Sequence, residues 1–409
     1  MSAGLTVKGK QRLHEVAEQY VGDGRDPGRY QVPGLVALAA CGDDVHVEAQ
    51  GSMAVGGAPV ARDSIFRISS DTKPITAAAV LALVPEGRLD LDEPVDRLLP
   101  ELADRRVLRR VDGPLDETVP AERAITPRDL LTFTFGLGMM FEMFGPGEPW
   151  PVVAAADRLH LATFGPPDRD VQPDPDTWMA GLGSLPLLAQ PGERWLYNTS
   201  ASVLGVLAAR AAGEPFGDVL RSRVLGPLGM ADTGLWTNET GRLVTAYRPG
   251  ENGLVAWDEP DGRWSRPPAF GDGAADLVST ADDLLAFSRM LLRGGGTDRA
   301  DTDRGNTGRG NTVLPAALAR EMTTGQLTAG QKARGGFGPE FFADKSWGFG
   351  LAVQDDGSYG WAGGFGSTWL IDPNHDLTVI VLTQRMFAGP APEPVHTDFQ
   401  AAAYQALAQ

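Results

Sequence analysis

The stretch Phe66-Arg67-Ile68-Ser69-Ser70-Asp71-Thr72-Lys73-Pro74 sets a Ser-x-x-Lys at the start of a helix. The chain has 36 Lys and Arg, of which only Lys8, Lys10, Lys73, Lys332 and Lys345 are lysines. A chain that otherwise uses Arg has therefore kept a Lys three residues after a serine, and Lys, unlike Arg, can be desolvated to a neutral amine near pH 7. Beyond it, Ile75-Thr-Ala-Ala-Ala-Val-Leu-Ala-Leu-Val84 is rich in Ala and Leu and stops at Pro85-Glu86-Gly87. Pro74 is harmless in a first turn, where N–H groups lack intrahelical acceptors. Residues i and i+3 share a face, so the Lys73 amine reaches the Ser70 hydroxyl while the helix N-terminus favours a developing oxyanion. A capping serine followed by a solvated lysine would give the same pattern.

The rest of the chain narrows the class. Its 409 residues and 42% apolar content support a sizeable core, and large single α/β enzymes reach this length. A net charge of −17 argues against nucleic-acid or anionic-membrane partners, which need clustered positive charge. Cys41 is the single cysteine, so there is no intramolecular disulfide and no Cys-based metal site. No run of membrane-spanning length occurs and the first residues lack the apolar core of a signal peptide, which reads as a soluble cytoplasmic protein.

The apolar positions Leu13, Val16, Ala17 and Tyr20 predict an amphipathic first helix over Thr6 to Tyr20. Gly34 to Ala40 and Val45 to Gly51 read as a hairpin, Phe66 to Ile68 as a short strand, and Asp282 to Leu292 as a helix. Between roughly Leu89 and Ala275 the pattern is helical and loop-rich, with helix starts at Thr126-Pro127 and Asn198-Thr199-Ser200. The aromatic and Met-rich segment from Phe133 to Gln172 is broken by glycines and fits a lid or pocket wall better than one regular helix. Segment 297–311 is polar and self-similar and reads as a flexible surface insertion. Strands are expected at Ser346 to Val353, Tyr359 to Ala362, Ser367 to Ile371 and Leu377 to Thr383. Strands at both ends and helices in the middle predict an α/β (α+β) fold with one antiparallel sheet. Its α/β lobe would be roughly 1–88 and 276–409 and its helical lobe roughly 89–275, with the site in the cleft between them.

Several segments occur in an order that resembles the serine β-lactamase-like superfamily: class C β-lactamases, D,D-peptidases and, most closely, family VIII carboxylesterases. These are Ser70-x-x-Lys73, Ile125-Thr-Pro-Arg-Asp-Leu-Leu-Thr-x-Thr-x-Gly-Leu137, Pro191-Gly-Glu-Arg-Trp-Leu-Tyr197-Asn198, Pro227-Leu-Gly-Met-x-Asp-Thr-Gly234 and Trp361-Ala-Gly-Gly-Phe-Gly366. The resemblance implies a two-lobed β-lactamase/transpeptidase-like fold and an acyl-enzyme on Ser70, with Lys73 as activator and Tyr197 acting with it as base and later as acid. A phenol needs a neighbouring cation such as Lys73 to favour its phenolate. It further implies an oxyanion hole from the N–H groups of Ser70 and Gly364, on a strand where Gly363 and Gly364 let substrate lie close to the backbone.

Three departures bear on substrate. Trp361 stands where the β-lactam-directed members carry Lys or His, removing a group that would meet a carboxylate and favouring the esterase and acyltransferase branch. Thr199 holds the usual asparagine position, with Asn198 one residue early. Phe133 and Phe135 occupy positions that often carry His and Ser, which predicts a more apolar wall. Trp361, Phe141, Phe144, Trp150 and Arg385 are expected to shape the pocket with Gly363 and Asn198.

The resulting expectation is a serine carboxylesterase for short to medium acyl esters, with a small-molecule substrate, no cofactor and no metal. An acyltransferase of secondary metabolism shares the first half-reaction and is the nearest alternative. A β-lactamase or D,D-peptidase is disfavoured by Trp361, and a binding protein that lost its chemistry is disfavoured by the joint presence of Ser70, Lys73 and Tyr197. No Gly-x-Ser-x-Gly occurs, and His14, His46, His160, His375 and His396 are scattered without ligand spacing.

Overall fold

Seven strands form one sheet: β1 (Gly34–Cys41), β2 (Asp44–Gly51), β3 (Lys345–Trp347), β4 (Ala352–Gln354), β5 (Tyr359–Gly363), β6 (Ser367–Asp372) and β7 (Leu377–Thr383). Their order is β2-β1-β7-β6-β5-β4-β3, and every neighbouring pair is antiparallel. Strands from the two ends of the chain thus meet where β1 pairs with β7, Leu38 opposite Ile380. The structure is a computed structural model that describes residues 4–26, 29–165, 167–297, 312–389 and 391–408. The polar segment 297–311 lies, apart from Thr297, outside the described residues.

The layers follow from strand alternation. β1 and β7 are buried along their whole length because both faces are covered. Leu35, Ala37, Ala39 and Cys41 pack with Leu377, Val379 and Val381 against helices α1 (Val7–Gln19) and α5 (Pro394–Ala406), through Leu13, Val16, Phe399 and Ala403. Val36, Leu38, Ile380 and Leu382 point the other way, into the main core with helices α2 (Thr72–Ala82), α3 (Thr199–Ala212) and α4 (Ala281–Leu292). Every residue of α2 is buried, as expected of a helix enclosed on all sides. Phe66–Arg67 pairs with Val278–Ser279 outside the main sheet and feeds the chain into α2 through a 3₁₀ turn at Ser69–Asp71.

Among the described residues, the chain between the sheet's two halves is mostly helices and loops with two small hairpins, Arg106–Leu108 with Thr118–Pro120 and Ala246–Gly250 with Gly253–Asp258. One expected strand is corrected: Ser346 to Val353 is two short antiparallel strands, β3 and β4. The chain turns between them because Gly350 adopts φ +75° and lies against the Lys73 carbonyl, where a Cβ would sit 2.8 Å from the oxygen. Among the described residues no helix is long and apolar enough to cross a membrane.

Ile380 is fully buried at the centre of the sheet. Ile380→Ala is expected to lower stability by about 2–5 kcal/mol, read from chemical denaturation.

Candidate active site

The turn before α2 brings Ser70 to the surface of a cavity while Lys73, one turn on, is wholly buried. Ser69 takes φ +45°, an uncommon conformation for a side-chain-bearing residue, and the following residues enter the 3₁₀ turn. The Lys73 Nζ donates to Ser70 Oγ at 2.8 Å and to the Ala274 carbonyl at 2.9 Å. Burial lowers the Lys73 pKa to about 7, although Asp272 and, to the extent that it is ionised, Asp71 oppose the shift. The carbonyl that receives Lys73 is itself fixed. Asp272 Oδ1 accepts from Ser202 Oγ at 2.7 Å and from Ala274 N at 2.8 Å, and Thr76 Oγ1 donates to Gly273 O at 2.8 Å.

Tyr197 stands over the same pair. The Lys73 Nζ lies 4.6 Å from its ring centroid, Ser70 lines the same cavity and acts on its phenol, and Trp361 Nε1 donates to its oxygen at 2.8 Å. Burial raises the Tyr197 pKa, outweighing the hydrogen bonds from Ser70 and Trp361 that lower it, so the phenolate is disfavoured and Lys73 is the group poised to take a proton. The tyrosine is aimed by its backbone. Met139 N donates to Tyr197 O at 2.8 Å, and Asn198 follows at φ +78° in a tight turn where Thr199 N reaches Tyr197 O at 3.1 Å.

The sequence-derived residues divide. Ser70, Tyr197, Trp361, Gly364, Phe141 and Phe144 line one cavity of 1360 Å³. Gly364 is exposed on the same cavity wall as Ser70, and a Cβ there would meet nothing within 4 Å, so open space borders it. Gly363 is not on the wall: it presses against the Ile68 carbonyl, where a Cβ would sit 2.1 Å away. Asn198 turns its amide inward to the Thr163 carbonyl at 3.1 Å, and Thr199 Oγ1 accepts from Thr163 Oγ1 at 2.8 Å, so neither supplies an amide to the cavity. Trp150 packs against the main core, and Arg385 points to Gln31 O at 3.1 Å with its guanidinium 4.5 Å from the Tyr30 centroid. Phe133 and Phe135 are fully buried, Phe133 behind Tyr197 and Trp347, so they back the site rather than wall it. The apolar wall comes instead from Phe337 and Phe341, with Phe337 stacked on Phe141 at 4.3 Å. Their short Phe337-Gly-Pro-Glu-Phe-Phe342 cluster was the available signal. Among the described residues no group of three His, Cys, Asp or Glu could hold a metal ion.

The comparisons agree with this architecture. The Beta-lactamase family profile matches residues 13–403, and the chain belongs to that family. Protein Rv1367c of Mycobacterium tuberculosis is 38% identical over 343 residues, 80% of this chain and 79% of that protein. Esterase EstB of Burkholderia gladioli is 31% identical over 386 residues, 87% of each chain. Among solved structures, EstCE1, a hydrolase with promiscuous acyltransferase activity, superposes with a TM-score of 0.75 at 24% identity, covering 97% of this chain and 99% of its own.

A buried amine with a depressed pKa is a stability statement. The unfolded chain keeps Lys73 protonated up to pH 10.5 whereas the folded chain releases the proton near 7, so this residue opposes folding fully below pH 7 and progressively less as pH rises to 10. Lys73→Met is therefore expected to gain about 1–4 kcal/mol at pH 6 relative to the unmodified protein, a gain that shrinks by pH 9 in denaturation curves.

Proposed function

We propose that this protein is a serine carboxylesterase acting on uncharged, short to medium acyl esters through an acyl-enzyme on Ser70. The observation that carries the reading is the contact of the Ser70 hydroxyl, open to a large apolar cavity, with a fully buried amine whose pKa that burial lowers. Neutral Lys73 takes the Ser70 proton as Oγ attacks the ester carbonyl. The oxyanion is received by the N–H groups of Ser70 and Gly364. Lys73 then returns the proton, through the Tyr197 phenol held by Trp361, to the departing alkoxide, and a water activated by the same pair releases the acid. The full kinship with Esterase EstB supports this reaction class.

Substrate preference follows from the wall. Trp361 offers its indole N–H to Tyr197 rather than a cation to a carboxylate, and Glu340, Asp344, Asp355 and Asp356 line the cavity with Lys345 as its one cationic residue among those described. Like charges disfavour an anionic acyl group, so a β-lactam is a poor fit. The same reading takes 1–409 as one catalytic unit with an α/β lobe at 1–88 and 276–409 and a helical lobe at 89–275. The apolar, aromatic cavity also suits transfer of the acyl group to an alcohol in place of water, the activity named for EstCE1.

With p-nitrophenyl butyrate, steady turnover is expected, falling by about a thousandfold or more in Ser70→Ala. The acid limb of kcat/KM should lie near pH 7, activity rising as Lys73 loses its proton. A single burst that resumes only on adding an alcohol or amine would establish the transferase reading, and equal rates for both proteins would remove Ser70 from the mechanism.

A further inference from the structure

Asp71 follows the nucleophile directly and has no part in the chemistry above, yet it is 1% exposed. Its Oδ2 lies 2.6 Å from Ser367 Oγ, and its Oδ1 has no hydrogen-bond partner. The Ser367 hydroxyl also lies 3.0 Å from the Ile68 carbonyl, which can only accept. One hydroxyl carries one proton and cannot donate along both contacts. Were Asp71 ionised, one of these oxygen pairs would face each other with no hydrogen between them, and a carboxylate with at most one donor would sit in the core. A proton on Asp71 resolves both: its O–H donates to Ser367 Oγ, and Ser367 donates to Ile68 O.

We propose that Asp71 is held as a neutral carboxylic acid and is a positioning residue, clamping the Ser70 turn to the glycine turn that carries Gly364. The two ends of the clamp bear the two N–H groups assigned to the oxyanion. Ile68 to Asp71 forms one side, with Asp71 N donating to Ile68 O at 3.1 Å, and Gly363 to Ser367 forms the other, touching Ile68 where only a glycine fits. The inference rests on the serine acyl-enzyme reading of this site.

Neutrality has a second consequence. The ionisable groups that act on Asp71 are Lys73, two residues on in α2, and Tyr197 across the site. An Asp71 carboxylate would hold Lys73 in its ammonium form and repel a charge on Tyr197. Lys73 instead bonds Ser70 Oγ and the Ala274 carbonyl, not Asp71. Burial raises the Asp71 pKa to about 8, against the opposing effects of Ser367 and Lys73, which agrees with the proton count.

Asp71→Asn keeps the shape and offers its amide N–H to Ser367. It is expected to retain kcat/KM for p-nitrophenyl butyrate within about threefold and leave the acid limb in place, whereas Ser367→Ala, which opens the clamp, lowers kcat by about tenfold or more. An acid limb in Asp71→Asn displaced downward by about one pH unit would show that a carboxylate had been removed from beside Lys73 and would overturn the proposal. Infrared spectra of the unmodified protein at pH 7 supply a readout independent of turnover. A protonated-carboxyl C=O band that disappears in Asp71→Asn or moves in Ser367→Ala supports it. Asp276, also held up to about 7 by burial, gives a band that neither change removes. Absence of any responsive band contradicts the proposal even if esters are hydrolysed, while a Ser70→Ala variant as active as the parent would defeat the acyl-enzyme reading and leave the spectrum unaffected.

Discussion

A lysine ammonium costs several kcal/mol to remove from water, and the whole site is arranged around a lysine that has been so removed. Lys73 is enclosed by α2, the Ala274 loop and the Tyr197 ring, with one hydroxyl and one carbonyl as its hydrogen-bond acceptors. The enclosure is expensive for the fold and useful for the reaction proposed, because the same desolvation that opposes the charged form, while it weakens the amine as a base, leaves it neutral often enough to accept a proton near pH 7. The packing that achieves it is remote from the chemistry. Helix α2 is buried on every side because α3, the helical run Phe216–Leu225 and the helix Ala316–Met322 pack around it.

The sheet contributes in a second way. Its strand β5 pairs with β4 only through Tyr359 and Gly360, so the run from Trp361 onward has a free edge facing Ser70. Trp361 uses that edge to reach Tyr197, and Gly364 to border the cavity. Gly363, between them, lets the strand come within contact of the Ile68 carbonyl, two residues before Ser70. Ser70, Tyr197 and the glycine turn therefore come from three distant parts of the chain but are mutually pinned, the preorganisation that the proposed oxyanion site needs.

What could be read from the sequence was what local rules determine. Ser70 and Lys73 share a face because they lie three residues apart at the start of a helix, and Leu377 to Thr383 announces a doubly covered strand by its β-branched, nearly all apolar run. The ordered motifs located Tyr197 and Trp361 as well, and the structure joins them by a hydrogen bond. Side-chain direction was not legible. Arg385 and Trp150 lie near pocket-lining segments but point to Gln31 and the core, and Asn198 is spent on a tight turn and on Thr163. Phe337 and Phe341 escaped because a short loop and a single 3₁₀ turn carry them, and the Ser346 to Val353 run hid a turn pressed against the backbone of Lys73 and Met322.

The claim on which the account stands is that acyl groups pass through a covalent ester on Ser70, formed with Lys73 as the base. The most direct measurement is peptide mass spectrometry of the protein quenched during turnover of p-nitrophenyl butyrate at pH 8. The account predicts a butyryl group on the peptide containing Ser70, absent from the same peptide in Lys73→Met. Butyrylation at another residue, or continued turnover with Ser70 never modified, would contradict it.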